Sequence, residues 1–448
     1  MNGYAAKTAW LRAEWDAARA AGRAPRPGLA KTTSNLFRDR TARAVPRIDL
    51  ARFSSVLAVD PEGGTVEAEG MTTFADLADA TLARGTVPQV VPQLKSITLG
   101  GALAGVGIEA SSFRYGLVHD TVTEFDVLTG DGRVLTCTPD NEHRDLFHGF
   151  PNSYGTLGYA LRVKARTAPA RRYVAVEHHR HAEPSAYFAA IARALDDPTL
   201  DFVDGVVFAR GEMVLTLARF VDTAPYTRDY TYERIYYRSL RERDTDFLTT
   251  RDYLWRWDTD WFWCSRNVGA QQPIVRRLLG RNRLNSITYQ KLMRWSARWR
   301  IAATVDRLRG LHAETVIQDV DIPLARAAEF LAFLHDVVGI LPIWICPIRA
   351  APGPAFPLYP LAPDTPHVNF GFWDTVRTRD ARPPGALNRR IEQEVGAQGG
   401  IKSLYSDAYF TEKEFWDIYD RGAYDALKRR YDPAGALGDL YAKCVLRQ

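Results

Sequence analysis

Residues 92–112 read Pro-Gln-Leu-Lys-Ser-Ile-Thr-Leu-Gly-Gly-Ala-Leu-Ala-Gly-Val-Gly-Ile-Glu-Ala-Ser-Ser, a stretch with four glycines and with hydroxyl donors at Thr98, Ser111 and Ser112. Glycine has no side chain and permits positive φ, so a diphosphate can rest directly on main-chain N–H groups. Glycine-rich stretches also occur as simple turns, and this one matches neither the G-x-G-x-x-G fingerprint nor a phosphate loop. The stretch therefore predicts a nucleotide cradle of another kind.

A second glycine-containing turn follows in a region typical of paired strands. Residues 121–128 alternate like a strand, residues 130–132 form a tight Gly-Asp-Gly turn, and residues 133–138 return as the partner strand. Residues 154–158, Tyr-Gly-Thr-Leu-Gly, then lead into a further strand at 159–165. We expect this second turn to lie near the first.

Two longer motifs, GGALAGVGIEASSFRYGL and DLFHGFPNSYGTLGYALRV, resemble the FAD-binding domain of the vanillyl-alcohol oxidase (p-cresol methylhydroxylase) superfamily. Within that superfamily the chain is most similar to the 24-dehydrocholesterol reductase group. The similarity extends from about Lys31 to Cys444 and includes residues 316–319, 341–347, 404–409 and 414–416.

The resemblance implies an α+β fold, with a two-subdomain FAD-binding domain and an α+β cap, or substrate, domain whose sheet is mostly antiparallel. A chain of 448 residues is long enough for two packed domains. We expect an N-terminal helix and linker at 1–30, the FAD-binding domain at 31–168 and the substrate domain at 169–448, with the C-terminal segment returning to the flavin. Trp10, Leu11 and Trp15 suit an opening helix packed on this chain or on a partner.

The resemblance also implies which residues hold FAD. Residues 31–38 form a polar loop where the superfamily has its first diphosphate-contacting turn. Several relatives bind the flavin covalently through a histidine near this turn, whereas the first histidine of this chain is His119, so we expect non-covalent FAD. The implied FAD-binding residues are Thr33, Ser34, Asn35, Thr98, Leu99, Gly100, Gly101, Ala102, Gly105, Gly107, Ile108, Ser111, Ser112, Tyr115, Gly116, Gly155, Thr156 and Gly158.

Composition is that of an ordinary globular protein, with 46% hydrophobic and 25% charged residues. Cys137, Cys264, Cys346 and Cys444 are too scattered for a metal site or a disulfide framework, and they fit buried thiols in a reducing interior. Residues 1–25 contain no signal-peptide core, and no apolar run reaches about 18 residues. We therefore expect a cytoplasmic protein without a metal.

Two segments stand out beside these motifs. Residues 226–263 are rich in tyrosine and tryptophan, which suits either an apolar ligand tunnel or core packing. Residues 276–309 carry ten basic residues against the single acid Asp306. On a helix, Leu292, Trp295 and Trp299 share one face, a pattern typical of peripheral contact with an anionic membrane surface. A solvated face paired with acids elsewhere is an equal alternative, and nucleic acid is not expected because no nucleic-acid-binding module is present.

Reduction of an isolated carbon–carbon double bond by a flavin needs a protein group that supplies a proton. Tyr405, Asp407 and Tyr409 are candidates because alternation along a strand would place them on one face. Asp319 and Glu109 are further candidates within the matched motifs. A buried hydrogen-bonded cluster is the alternative for each of them.

Residues 91–101 resemble those of actinobacterial enzymes that reduce a 10-methylene fatty-acyl phospholipid, made by a partner methyltransferase, to the 10-methyl chain. The resemblance implies an FAD-dependent reductase of this type, with NADPH as co-substrate. The alternatives are a sterol or isoprenoid double-bond reductase, an FAD-linked alcohol oxidase, and a non-catalytic flavoprotein partner of a lipid methyltransferase.

Overall fold

The computed structural model describes residues 3–22, 25, 27–29, 37, 48–298, 306 and 308–448. These residues form helices and two large antiparallel sheets, so the predicted α+β class is confirmed. A short parallel pair, Pro27–Gly28 with Ile48–Asp49, precedes the first of these sheets in the chain.

The first sheet belongs to the N-terminal part of the chain. The N–H of Gly63 donates to Oδ1 of Asp60 at 2.9 Å and closes the turn between the first two strands. The longest strand is central because its alternate side chains, including Leu161 and Val163, are buried. The strand order is Val56–Asp60, Thr65–Glu69, Tyr159–Pro169, Val122–Leu128 and Val134–Cys137, with Thr86–Pro88 paired to the far end of the longest strand.

The second sheet is larger and is covered on both faces. One face packs against helices through Ile191, Phe330 and Ile391, and the other packs against the aromatic segment 226–263. Strand Ile343–Ile348 is buried throughout, as expected for the middle of a covered sheet. The strand order is Thr245–Thr249, Tyr173–His181, Glu212–Val221, Phe202–Ala209, Ile343–Ile348, His367–Thr378, His312–Pro323 and Ile401–Lys402.

The helices begin and end at residues that local chemistry favours. Thr73, for example, accepts the N–H of Asp76 with its side chain and so caps the second helix. The α-helices are Tyr4–Ala20, Phe74–Leu82, Leu99–Ala104, Ser112–Tyr115, Arg144–Gly149, Pro184–Ala194, Tyr236–Glu242, Thr250–Leu254, Pro273–Leu279, Ser286–Arg298, Ala327–Phe333, Ala386–Ala397, Glu412–Ile418, Arg421–Tyr431 and Leu440–Cys444.

Both ends of the described chain pack on the first sheet. In the opening helix, Leu11 and Trp15 are buried, and the hydroxyl of Tyr4 donates to Asp126 at 2.7 Å. Phe415 and Tyr424 of the C-terminal helices share one hydrophobic core with the strands of the first sheet. The opening helix is therefore packed on its own chain, which was one of the two predicted roles.

Most of the aromatic segment is core. Tyr236 packs edge-on against Trp257 at 5.0 Å between centroids, and Trp257 stacks on Phe262 at 4.9 Å. Tyr236 and Trp257 are buried, while Trp261 and Phe262 also reach a cavity. Core packing thus accounts for the density of rings, and two of them contribute to a ligand-sized space.

Two features bear on the environment expected from the sequence. All four cysteines are buried thiols. Within the described ranges, no helix combines the length and the apolar character required to cross a bilayer.

Candidate active site

A cavity of about 460 Å³ lies where the first sheet, the glycine-rich stretch and the second sheet meet. One wall is largely backbone, from residues 98–108 and 154–160. The opposite wall is aromatic, since the ring of Phe262 lies 4.6 Å from that of Trp373 and 5.5 Å from that of Trp344. Such a cavity suits a ligand with a charged part and a flat apolar part.

The glycine-rich stretch packs directly on the first sheet. The N–H of Gly100 donates to the carbonyl oxygen of Gly70 at 2.8 Å, and a Cβ on Gly100 would lie only 2.8 Å from that oxygen. A Cβ on Gly70 would lie 2.0 Å from the carbonyl oxygen of Ala160. Glycine is therefore required at both positions, because backbones touch here without intervening side chains.

After helix Leu99–Ala104 the chain carries unpaired backbone donors beside the cavity. The N–H groups of Val106, Gly107 and Ile108 make no hydrogen bond within the described part of the chain, and all three residues line the cavity. A Cβ on Gly107 would lie 2.6 Å from Cγ2 of Val118, so this turn is tight. Consecutive N–H groups in such a turn can bind a phosphate or diphosphate.

The second glycine turn lies against the first, as predicted. The N–H of Tyr154 donates to the carbonyl oxygen of Ala104 at 2.8 Å, and that of Asn152 donates to Gly105 at 3.2 Å. Gly155 has φ of 81° and lines the cavity, a backbone conformation that glycine favours. The two motifs therefore form one continuous backbone surface.

Gln93 adds an unsatisfied donor to this surface. Its Nε2 atom is buried, lines the cavity with the rest of the residue, and has no hydrogen-bond partner among the described residues. A buried amide donor without a partner is costly, so a ligand oxygen or nitrogen would satisfy it. Unpaired N–H groups, a tight glycine turn and a flat aromatic wall together fit FAD, with its diphosphate and planar ring system.

The structure brings together half of the predicted FAD-binding residues. Those lining the cavity are Thr98, Gly100, Gly101, Ala102, Gly105, Gly107, Ile108, Gly155 and Gly158. Those outside its lining are Leu99, Ser111, Ser112, Tyr115, Gly116 and Thr156. The hydroxyl of Ser111 donates instead to the carbonyl oxygen of Gln89, and that of Thr156 donates to the carbonyl oxygen of Ser153. Thr33, Ser34 and Asn35 lie outside the described residues. Their contact with FAD stays a prediction.

Asp319 and Tyr405 come together in the cavity wall, and the hydroxyl of Tyr405 is near enough to lower the pKa of the Asp319 carboxyl. Asp319 belongs to strand His312–Pro323, and Tyr405 belongs to the turn after the last strand. The Nε1–H of Trp373 donates to the hydroxyl oxygen of Tyr405 at 2.8 Å. The O–H of Tyr405 therefore stays available to a second partner, and the carboxyl of Asp319 is near it.

The environment of Asp319 favours its neutral form. Burial raises the pKa of this carboxyl well above its usual range, the hydroxyl of Tyr405 opposes the rise, and the charge of Asp321 adds to it. Its Oδ1 has no partner among the described residues, and a Cβ on Gly371 would lie 2.7 Å from that atom. A neutral carboxylic acid at a cavity wall can act as a proton donor.

The predicted strand over 405–409 is wrong. The sheet strand ends at Lys402, whose ammonium group donates to the carbonyl oxygen of Asp407 and folds the following residues into a turn. Asp407 and Tyr409 consequently approach Arg447, at 3.6 Å and 3.0 Å, and do not belong to the cavity lining. Of the three predicted donors in this motif, the structure places Tyr405 at the cavity.

Glu109 lies in a buried ion-pair cluster outside the cavity lining. Its Oε1 is 3.0 Å from the guanidinium group of Arg256, which also binds Asp204 at 2.8 Å. Burial raises the pKa of Glu109 to about 7, although the nearby arginine favours the charged form. Since Glu109 belongs to the glycine-rich stretch and Asp204 belongs to the second sheet, the cluster connects that stretch to the sheet.

Sequence reasoning did not single out Trp373 or Gly371. They lie opposite Ile317 and Asp319 in the register between strands His312–Pro323 and His367–Thr378. Alternation in the second strand could have shown that one of its faces is buried. That local pattern does not show which strand pairs with it or in which register.

Comparisons with known proteins agree with these features. Residues 5–138 match the model of the FAD binding domain family. The Delta(24)-sterol reductase homolog of Caenorhabditis elegans is 26% identical over 425 residues, which cover 89% of this chain and 78% of the relative. The Delta(24)-sterol reductase of Homo sapiens is 26% identical over 408 residues, with coverage of 88% and 77%.

A more local similarity exists to a plant enzyme. Cytokinin dehydrogenase 2 of Oryza sativa subsp. japonica is 35% identical over 114 residues, which are 25% of this chain and 20% of that protein. The backbone wall of the cavity lies partly within the stretch that matches the FAD binding domain. The N-terminal part of this protein is therefore an FAD-binding domain of the vanillyl-alcohol oxidase type, and most of the chain is distantly homologous to Delta(24)-sterol reductases.

Proposed function

We propose that this protein is an FAD-dependent reductase of an isolated carbon–carbon double bond in a lipid, with NADPH as the electron donor. The observation that carries the proposal is the buried carboxyl of Asp319, which lies beside Tyr405 in the wall of a cavity that fits FAD and whose pKa is raised by burial. An isolated double bond accepts a hydride at one carbon only if a proton reaches the other. A buried carboxyl whose environment favours the protonated form is suited to that step.

Each group at the site has a role in this scheme. FAD, when bound, would accept a hydride from NADPH and supply it to the double bond. The N–H groups of residues 106–108 and the side chain of Gln93 would hold the cofactor. Asp319 would give its proton to the second carbon, and Tyr405 would stabilise the resulting carboxylate through its O–H. In the net reaction, the double bond, NADPH and H⁺ give the saturated bond and NADP⁺.

The aromatic wall supports a lipid as substrate. Trp261, Phe262, Trp344 and Trp373 line the cavity together with aliphatic side chains. Rigid rings bury an apolar chain at a low entropy cost and keep water from the reacting carbons. Proton delivery is then left to Asp319 instead of solvent.

The relatives favour a sterol or isoprenoid side chain over the fatty-acyl chain expected from the sequence. Delta(24)-sterol reductases align with 88% or more of this chain, so the similarity extends beyond the FAD-binding part. The 10-methylene fatty-acyl phospholipid, with a methyltransferase as its source, is the second candidate. An exposed apolar and basic helix that reaches the cavity at Met293 favours a membrane lipid.

Anaerobic flavin spectroscopy tests the proposal. NADPH should bleach the flavin band near about 450 nm, and a Delta(24)-unsaturated sterol should restore it, with one saturated product per flavin reoxidised. Faster recovery with 10-methylene-stearoyl phospholipid would select the second candidate. Bleaching by a small alcohol would identify an oxidase instead. A flavin that responds to neither NADPH nor lipid would overturn the proposal and indicate a non-catalytic flavoprotein.

A further inference from the structure

We infer that helices Pro273–Leu279 and Ser286–Arg298 form a surface that docks on an anionic lipid bilayer beside the mouth of the cavity. We call it the basic–apolar surface. Its apolar members are Ile274, Leu278, Leu292, Met293 and Trp295, and its basic members are Arg277, Arg281, Arg283 and Lys291. Docking does not depend on the chemistry of the site, whereas delivery of lipid to the cavity rests on the proposed function.

Both helices are fixed to one buried segment, residues 258–260. Ser286 donates to the carboxylate of Asp258 at 2.7 Å, and Tyr289 donates to the carbonyl oxygen of Thr259 at 2.9 Å. The guanidinium group of Arg276 pairs with Asp260 at 2.5 Å and is itself buried, so this arginine is structural. The two helices therefore present their outer faces from one firm attachment.

Those outer faces are strongly apolar. Ile274 and Leu278 are 74% and 78% exposed and lie one turn apart on the same side of their helix. Trp295 is 59% exposed, with Leu292 one turn before it. Clustered exposed apolar side chains of this size mark an interaction site. Trp299, predicted on the same face, lies outside the described residues.

The charge of the surface selects a bilayer as its occupant. Between residues 273 and 298 the sequence contains seven basic residues and no acidic one, and three of them, Arg276, Arg277 and Arg281, pair with Asp260, Glu233 and Asp229. Arg283 and Lys291 are exposed, and neither has an acidic partner among the residues that the structure describes. Basic side chains beside exposed tryptophan and leucine match anionic headgroups over acyl chains. A second copy of the same surface would be repelled by its positive charge.

The cavity borders this surface. Met293 and Leu29 both line the cavity, and they are 36% and 38% exposed. A lipid chain rising from a bilayer docked at Trp295 would therefore enter the cavity at Met293 with little passage through water. This geometry suits a substrate that is apolar and embedded in a membrane.

Vesicle sedimentation tests the docking. We expect the whole protein to sediment with phosphatidylglycerol vesicles, to bind phosphatidylcholine vesicles at least tenfold more weakly, and to be released by high salt. The triple variant I274S/L278S/W295S and the double variant R283E/K291E should each lose at least tenfold in binding to the anionic vesicles. A matched control, L57S/V337S/L446S, removes three exposed apolar side chains elsewhere and should bind like the parent protein.

Equal sedimentation of the parent and both surface variants would overturn the inference. So would a parent protein that ignores vesicles but forms dimers lost in the triple variant, since the surface would then bind a second copy. Thermal melting of every variant separates loss of docking from loss of folding.

An activity measurement separates this inference from the proposed function. The triple variant should turn over a detergent-dispersed sterol at the parent rate. Its turnover rate on the same sterol in anionic vesicles should be at least tenfold below that of the parent protein. No turnover of either form by the parent protein, with vesicle binding intact, would refute the proposed function and leave docking in place. Equal turnover of both forms by the triple variant would refute delivery from the membrane.

Discussion

The indole of Trp373 donates a 2.8 Å hydrogen bond to the hydroxyl oxygen of Tyr405. This bond uses the tyrosine oxygen as an acceptor, so the O–H stays available to the nearby carboxyl of Asp319, whose pKa it lowers. Trp373, Tyr405 and Asp319 thus lie together in the cavity wall.

Replacing Asp319 by asparagine should abolish proton delivery and keep the shape of the cavity. General acid catalysis contributes about 10²–10⁴-fold, so kcat for double-bond reduction should fall by about that factor. The rate at which NADPH bleaches the flavin should remain near that of the parent protein. Stopped-flow absorbance measures both half-reactions, and equal losses in the two would contradict a role for Asp319 in the second.

Asp407→Asn provides the comparison among the predicted donors. Its carboxylate lies beside Arg447 and outside the cavity lining, so we expect kcat within about threefold of the parent. A loss as large as that of Asp319→Asn would show that the proton comes from the 405–409 segment by another route.

Tyr405→Phe should change the pH dependence of the reaction. Activity needs protonated Asp319, so the rate should fall as pH rises through the pKa of that carboxyl. The hydroxyl of Tyr405 lowers this pKa, and its removal should move the fall in rate to higher pH. The kcat profile between pH 6 and about pH 10 measures the shift. A fall that moves to lower pH would contradict the influence assigned to the Tyr405 hydroxyl.

Gly107→Ala should weaken FAD binding. The added Cβ would lie 2.6 Å from Cγ2 of Val118 and 3.1 Å from Cβ of Ala102, so the turn with the unpaired N–H groups must shift. The dissociation constant for FAD should rise at least tenfold, as measured by flavin fluorescence, and the ratio of bound flavin to protein should fall. Gly396→Ala is the control, because its Cβ meets nothing within 4 Å and alanine favours the helix by about 1 kcal/mol. Full flavin content in Gly107→Ala would refute the cradle.

Arg256→Met should destabilise the fold. It leaves Glu109 and Asp204 buried without their cation, which costs about 3–5 kcal/mol in the free energy of unfolding. Arg251→Met removes an exposed pair with Asp79 and should cost about 0–1 kcal/mol. Urea unfolding at neutral pH compares the two variants, and similar losses would show that the buried cluster is not held by its charge.

Local patterns were sufficient for much of the fold. Alternation and turn residues predicted the two strands around Gly130, because these depend on neighbouring residues alone. The same alternation failed at residues 405–409, where Lys402 binds the carbonyl oxygen of Asp407 and turns the chain. A long-range or loop-closing contact of this kind leaves no periodic trace in the sequence.

The candidate site divides in the same way. The sequence by itself predicted that glycines at 100–107 and 155–158 would let backbone lie at a ligand cavity, since only the absence of side chains permits such a close approach. Only the tertiary structure decided that Asp319 and Tyr405 share the cavity wall while Glu109 pairs with Arg256. That choice depends on strand register, which sets Asp319 opposite Gly371 and Trp373 within reach of Tyr405. Register is fixed by the packing of whole sheets and not by any one segment.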